Sequence, residues 1–233
     1  MKVDDRRYQF DRMRYALQRR RRAAEVDRLY REIVSSWDQP AFRERFRGYW
    51  NPFPSTKPAK FLDLETWFRE AVFRALWCGV EALPAKSRLL DLGAGTGYFL
   101  VVARHLGHDV LGLDVDDEPL YRECFDYFGL PRVTQAIEPF QPLPESLGGF
   151  DLITAFMTCF DERPDGSQWG VDEWLFLLRD LRNRLNAGGR IVIRFNLNQQ
   201  TREFYSDEVR RAVRSLDCFR SRFFFDSLTL TAR

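Results

Sequence analysis

From about residue 84 onward, the spacing of apolar positions switches back and forth between two periods. Short runs of mostly apolar residues alternate with longer stretches whose apolar residues recur three and four apart. The short runs predict strands at 87–92, 108–114, 131–137, 150–156 and 190–196. The longer stretches predict helices at about 96–107, 117–128, 171–186 and 202–215. Strands alternating with helices imply a parallel sheet covered on both faces. The last two runs, FRSRFFF and SLTLTAR, are separated only by a turn near Asp226, which predicts an antiparallel hairpin. The expected fold is therefore α/β: a doubly wound, mostly parallel seven-stranded sheet with a C-terminal antiparallel hairpin.

The first 83 residues have another pattern. Tyr8, Met13, Leu17, Ala24, Val26, Leu29, Tyr30, Ile33 and Val34 recur at helical spacing and predict one long helix over 5–36, with Arg19–Arg22 at its middle. Three prolines within 51–60 forbid a helix there. Asp63 is placed to cap a further helix over about 64–83, whose broad apolar face should pack on the sheet. The chain divides accordingly into a helical arm and lid region, 1–83, and a sheet domain, 84–233. The aromatic stretch Tyr49-Trp50-Asn51-Pro52-Phe53-Pro54 suits a lid over a site, or plain core packing.

Charge changes this picture only at the arm. Net charge is +2 over 233 residues, yet residues 1–50 carry 14 Lys/Arg against 8 Asp/Glu. A basic arm can grip nucleic acid, an anionic surface or an acidic partner, or be a solvated face. Cysteines 78, 124, 159 and 218 have neither metal-knuckle nor redox-pair spacing. The N-terminal residues carry no secretory pattern, and no segment has the ~20 apolar residues of a membrane span. The expected location is cytoplasmic, with no metal.

The chemistry concentrates in Leu89-Leu90-Asp91-Leu92-Gly93-Ala94-Gly95-Thr96-Gly97-Tyr98-Phe99, a buried strand that turns through three glycines into a helix. Glycines permit positive φ and close backbone approach of a ligand. Amides at the helix start are expected to face that ligand. Asp114 ends the next strand, where an acid can accept from ribose hydroxyls. Dinucleotide folds use G-x-G-x-x-G, whose third glycine falls on Tyr98 here. The loop instead reads G-x-G-x-G.

This loop resembles that of class I S-adenosylmethionine (SAM)-dependent methyltransferases. So do the turn Leu185-Asn186-Ala187-Gly188-Gly189-Arg190 and the terminal hairpin. The resemblance covers about residues 84–233 and implies SAM as cofactor. It implies that Gly93, Gly95 and Gly97, with Ala94 and Thr96 between them, line the methionine part and the ribose. Asp91 would stand near the amino group, Asp114 at the ribose hydroxyls and Val115 on the adenine. Ile137 or Glu138 would sit at the adenine edge, and Phe156 and Met157 would border the reacting methyl. Leu143-Pro144 fits a Leu-Pro pair seen in the family, whereas Glu138-Pro139 stands out of the usual register and reads equally well as an exposed loop.

Methyl transfer asks a protein mainly to align the acceptor and exclude water, with a base only where the acceptor must lose a proton. The acceptor loop would be Thr158–Asp165. It lacks the Asn/Asp-Pro-Pro-Tyr run of adenine-N6 or glutamine methylation. Asp161 is the candidate base there, with Glu162 beside it; both also read as solvated loop acids. Cys159 reads as a small buried residue rather than a nucleophile. His105 and His108 fall at the opposite edge and read as surface residues. Trp169, Trp174 and Phe176 are expected on the acceptor side. Three functions compete: methylation of a small molecule or glycan precursor; RNA methylation with the basic helix on phosphates; and a SAM-binding subunit whose arm docks on a partner or forms a homodimer.

Overall fold

The computed structural model describes residues 6–49, 59–163, 165–198, 201, 203–224 and 226–233. Its centre is a seven-stranded sheet: β1 (Arg88–Leu92), β2 (Asp109–Asp114), β3 (Arg132–Thr134), β4 (Phe150–Thr158), β5 (Leu185–Phe195), β6 (Phe219–Phe224) and β7 (Ser227–Ala232). The spatial order is β3-β2-β1-β4-β5-β7-β6. The first five strands are parallel; β7 runs antiparallel to β5, and β6 pairs antiparallel outside β7. The expected sheet and hairpin are therefore present.

Alternation along each strand divides the core in two. Leu89, Leu152 and Val192 point to one face, where α2 (Ala23–Ser35), α3 (Gln39–Arg45), α4 (Leu64–Trp77), α5 (Tyr98–His105) and α6 (Pro119–Phe128) pack. Leu90, Ile153 and Ile191 point to the other, under α7 (Val171–Asn183) and α8 (Asp207–Arg214). The period of two thus makes one strand the wall of both cores.

The N-terminal helix is not continuous. α1 (Arg6–Arg21) ends at Arg22, which stands at φ −97° and ψ 5° before α2 begins. Arg22 is held there by Glu25 at 3.2 Å and Glu81 at 2.7 Å. α2 buries Val26, Leu29, Tyr30 and Ile33, while Phe10, Met13 and Leu17 of α1 are exposed. The two halves answer to different surfaces, which a single period does not reveal. Tyr15 ties α1 to the sheet: Arg194 of β5 donates to its hydroxyl at 2.7 Å, and that hydroxyl donates to Glu70 at 3.1 Å. Arg194 also pairs with the buried Asp226 at 2.7 Å.

α4 stops at Trp77, short of 83, because Gly79 takes a left-handed φ of +64° and turns the chain. Asp63 caps its start by accepting from the Thr66 amide at 3.3 Å and the Thr66 hydroxyl at 2.7 Å. Asp63→Ala is expected to lower stability by about 1 kcal/mol. The check is a urea midpoint that falls with an unchanged slope.

His108 is not on the surface. It is buried, and its Nε2 donates to the Val80 carbonyl at 3.0 Å, joining the start of β2 to the end of the α4 region. His105 is partly exposed and bonds Glu32 at 3.0 Å. Among the described residues no helix is long and apolar enough to cross a membrane, and no group of metal-ligating side chains is present.

Candidate functional site

The sheet order reverses between β1 and β4, and a cleft of about 630 Å³ opens at the carboxyl ends of these strands. Its size lies within the range of small-molecule sites, roughly 300–1,000 Å³. Its floor is the glycine loop. Gly93, Gly95 and Gly97 have φ of +65°, +55° and +72°, a backbone that other residues take only with strain. The turn is anchored from below: the Gly93 amide donates to the Leu113 carbonyl at 2.7 Å, and the Gly97 amide to Ala94 at 2.9 Å.

Asp114 completes the anchoring. Its carboxylate accepts from the Gly95 amide at 2.6 Å and from the Val115 amide at 2.8 Å. Burial raises its pKa, and the two backbone donors oppose that rise. One side chain thus sets the loop against β2 while turning its remaining lone pairs to the cleft. Four of the loop amides are engaged within the protein. Gly93, Ala94, Gly95 and Gly97 donate to protein acceptors, which takes these four amides away from a ligand. Tyr98 also fills the place of a dinucleotide fold's third glycine. Its ring packs edge-on against Phe68 at 5.3 Å, and its hydroxyl donates to Phe61 at 3.0 Å.

Asp91 is buried beneath the loop and reaches the cleft. The Thr154 hydroxyl donates to it at 2.6 Å. Burial pushes its pKa up to about 7, against the Thr154 hydrogen bond and the positive field of Arg74. A carboxylate with one hydroxyl donor is under-compensated, and a cation entering the cleft beside it would restore its charge.

At the far end, Met157 takes φ +54°, unusual for a residue with a side chain. Asn196 holds it by donating to its carbonyl at 2.7 Å, and the Arg74 guanidinium lies 3.4 Å from its sulfur. Arg74 also covers the Phe156 ring at 5.2 Å. Cys159 is exposed rather than buried, lines this end, and receives an Asn196 N–H at 3.1 Å.

The structure brings Asp91, Gly93, Ala94, Gly95, Thr96, Asp114, Val115, Ile137, Phe156 and Met157 around one cleft. Gly97 lies outside the lining, with its α-carbon turned toward Leu130 and Phe125, and Glu138 is exposed beyond it. Asp161 is also outside. It is buried rather than solvated, and burial raises its pKa to about 6. Glu162 is exposed, as expected of a loop acid. Trp169 and Trp174 pack on each other and on Phe160, so they back the cleft without lining it; Phe176 sits against Phe140.

Sequence reasoning missed one wall of the cleft. Phe61 and Trp67 meet at 4.7 Å, Tyr121 closes on Phe61 at 5.9 Å, and the Lys60 ammonium lies over the Phe61 ring at 4.8 Å. Arg74 was missed as well, although a lone arginine within Ala71–Leu76 was a visible signal. Of the aromatic stretch read as a lid, Tyr49 is half-buried and donates to Glu123 at 2.8 Å, while 50–54 lie outside the described residues.

A family model described as a methyltransferase domain matches residues 64–231. No curated protein matches. Among solved structures, the chain is similar to magnesium protoporphyrin IX methyltransferase from Synechocystis with bound SAM. Identity there is 12% over 88% of this chain and 97% of that one, with a TM-score of 0.53. It is similar to CalS10, an amino pentose methyltransferase from Micromonospora echinaspora, at 16% identity over 72% and 92%, TM-score 0.52. A TehB-like SAM-dependent methyltransferase from Corynebacterium glutamicum is 20% identical over 76% and 100%, TM-score 0.50. At these identities the likeness is one of fold.

Proposed function

The chain belongs to the methyltransferase-domain family, and on that premise we propose that it moves a methyl group from S-adenosylmethionine to a small molecule or glycan precursor. The observation that carries this reading is the pairing of an under-compensated buried carboxylate, Asp91, with a glycine loop four of whose amides are already engaged. That arrangement suits an adenosyl group bearing an ammonium and no phosphate. When bound, the sulfonium supplies an activated methyl for in-line displacement.

The protein's own part is positioning. Asp91 receives the ammonium, Asp114 receives ribose hydroxyls, and Val115 and Ile137 flank the adenine. Phe156 and Met157 border the methyl, and Asn196 fixes the strained Met157 backbone so that this end of β4 holds one shape. Lys60, Phe61 and Trp67 form the wall between cofactor and solvent, which gives the lid role to the segment entering α4. Arg74, Asn196 and Cys159 face the acceptor side and suit an acceptor with polar groups. Asp161 does not reach this end of the cleft and is given no proton-transfer step.

The test is calorimetric titration with SAM and S-adenosylhomocysteine, followed by an acceptor screen read as S-adenosylhomocysteine release. No binding of either ligand by folded protein would overturn the reading.

Asp91 also sets a pH dependence. Its raised pKa means that stability from the protonated form is complete below the ordinary carboxylate range and is lost as pH rises through about 7. An ammonium partner favours the charged form, so ligand binding releases a proton. SAM affinity is expected to rise with pH and level off above about 7, by at most about tenfold per unit below it. Titration in buffers of different ionisation heat should register release approaching one proton near pH 6. A flat profile, or an unchanged profile in Asp91→Asn, would remove Asp91 from the ammonium site.

A further inference from the structure

A second cavity, of about 370 Å³, lies between α1, the end of α4 and the strands β5, β6 and β7. It shares no lining residue with the cofactor cleft. Five guanidinium groups converge on it: Arg14 and Arg21 from α1, Arg22 from the α1–α2 junction, Arg190 from β5 and Arg222 from β6. No carboxylate lines it. Glu25 and Glu81 stand nearby, and both are taken by Arg22. Among the described residues, Arg14, Arg21 and Arg222 have no carboxylate partner. Arg190 donates to the carbonyl of Cys78, but its Nε is buried without an acceptor.

So many like charges around one recess repel one another, and a buried unpaired N–H adds to the cost. An anion removes both penalties. Guanidinium forks match phosphate oxygens in pairs. Three aromatic rings stand among the remaining lining, Phe73 and Trp77 from α4 and Phe224 from β6, with Arg14 stacked over Phe224 at 5.6 Å. The cations approach from several elements on different sides of a concave site, which suits a compact ligand. A nucleic-acid track would instead spread charge along a surface.

We infer that this cavity binds a small diphosphate-bearing ligand, at a site separate from the methyl-transfer cleft. Inorganic pyrophosphate and a nucleoside diphosphate share the required group, and the aromatic walls decide between them.

The experiment titrates the full chain, saturated with S-adenosylhomocysteine to block the cleft, with sodium pyrophosphate and with uridine diphosphate. The same titrations are run on Arg14→Ala/Arg222→Ala, whose side chains are surface-exposed. An unchanged melting temperature shows that the variant folds; if it falls, Arg21→Gln serves instead. Binding of either diphosphate, weakened at least tenfold in the variant and falling with added salt, is the expected result. Tighter binding of uridine diphosphate identifies a nucleotide; equal binding identifies the free diphosphate. No binding of either at millimolar concentration overturns the proposal, as does binding undiminished by the substitutions. Preferential binding of a single-stranded RNA oligomer, lost in the same variant, also overturns it and assigns the cavity to RNA.

Discussion

Replacing Asp114 by alanine is expected to weaken SAM binding by roughly 30- to 150-fold, corresponding to about 2–3 kcal/mol. Two losses combine. The carboxylate is the acceptor for the Gly95 and Val115 amides, so its removal leaves both without their partner and loosens the loop at Gly95, where only the Gly93 and Ala94 bonds to Leu113 still tie it to β2. It also removes the acceptor placed for ribose hydroxyls. Asp114→Asn is the intermediate case, because its single amide oxygen can still accept from Gly95 but its NH2 cannot accept from Val115, and it carries no charge. The asparagine variant should fall between wild type and alanine for SAM and for S-adenosylhomocysteine alike, since both carry the same ribose. The check is calorimetric titration of all three proteins. Equal affinities across the series would mean that the carboxylate positions neither loop nor ligand.

Gly97→Ala is expected to act on the fold instead, lowering stability by about 2–4 kcal/mol. At φ +72° an added methyl is strained by its own backbone. It would also stand 2.6 Å from Leu130 Cδ1 and 2.9 Å from Phe125 Cε2, inside the core beneath α6. Gly95→Ala is the comparison, because a methyl there meets only Tyr121 at 4.0 Å and carries the backbone strain alone. Thermal and urea unfolding should show Gly97→Ala clearly the less stable. Equal losses would mean that Phe125 and Leu130 relax without cost. The pair distinguishes two reasons for glycine within one loop: clearance for packing at Gly97, and backbone conformation at Gly95.

That loop and its acid were legible from the sequence because they are local. Strand, glycines and helix start lie within eleven residues, and Asp114 stands at the end of the next strand. The aromatic wall was not legible. Phe61 lies outside any periodic segment, and Trp67 counts as one more apolar position on α4. Only the packing of the Ala59–Leu62 turn against α6 brings Phe61, with Trp67 behind it, to Tyr121. Cys159 was misread because free cysteine usually behaves as a small buried apolar residue, whereas a strand end at a cleft keeps it open. The break at Arg22 escaped detection for a related reason: helical spacing persists through it, and only the acids of Glu25 and Glu81 fix the junction. Strand bounds shifted where pairing overruled composition. β5 begins at Leu185, five residues early, because Leu185 pairs with Phe150 before a register shift at the Gly-Gly turn. β3 ends at Thr134 because the chain leaves the sheet edge soon after the Gln135 amide bonds Asp114.

The sheet order also governs how the protein can assemble while it is being made. β6 leaves the ribosome before β7, yet its place is outside β7 and it is not paired with β5. Until β7 has emerged, β6 has no strand to pair with, and the edge of β5 with Ile191 and Ile193 stays open. The hairpin must therefore form as a unit and dock after the rest of the sheet exists. A stalled nascent chain that ends between residues 225 and 227 would display a bare apolar strand edge, the kind of surface that chaperones hold and that other chains can add to.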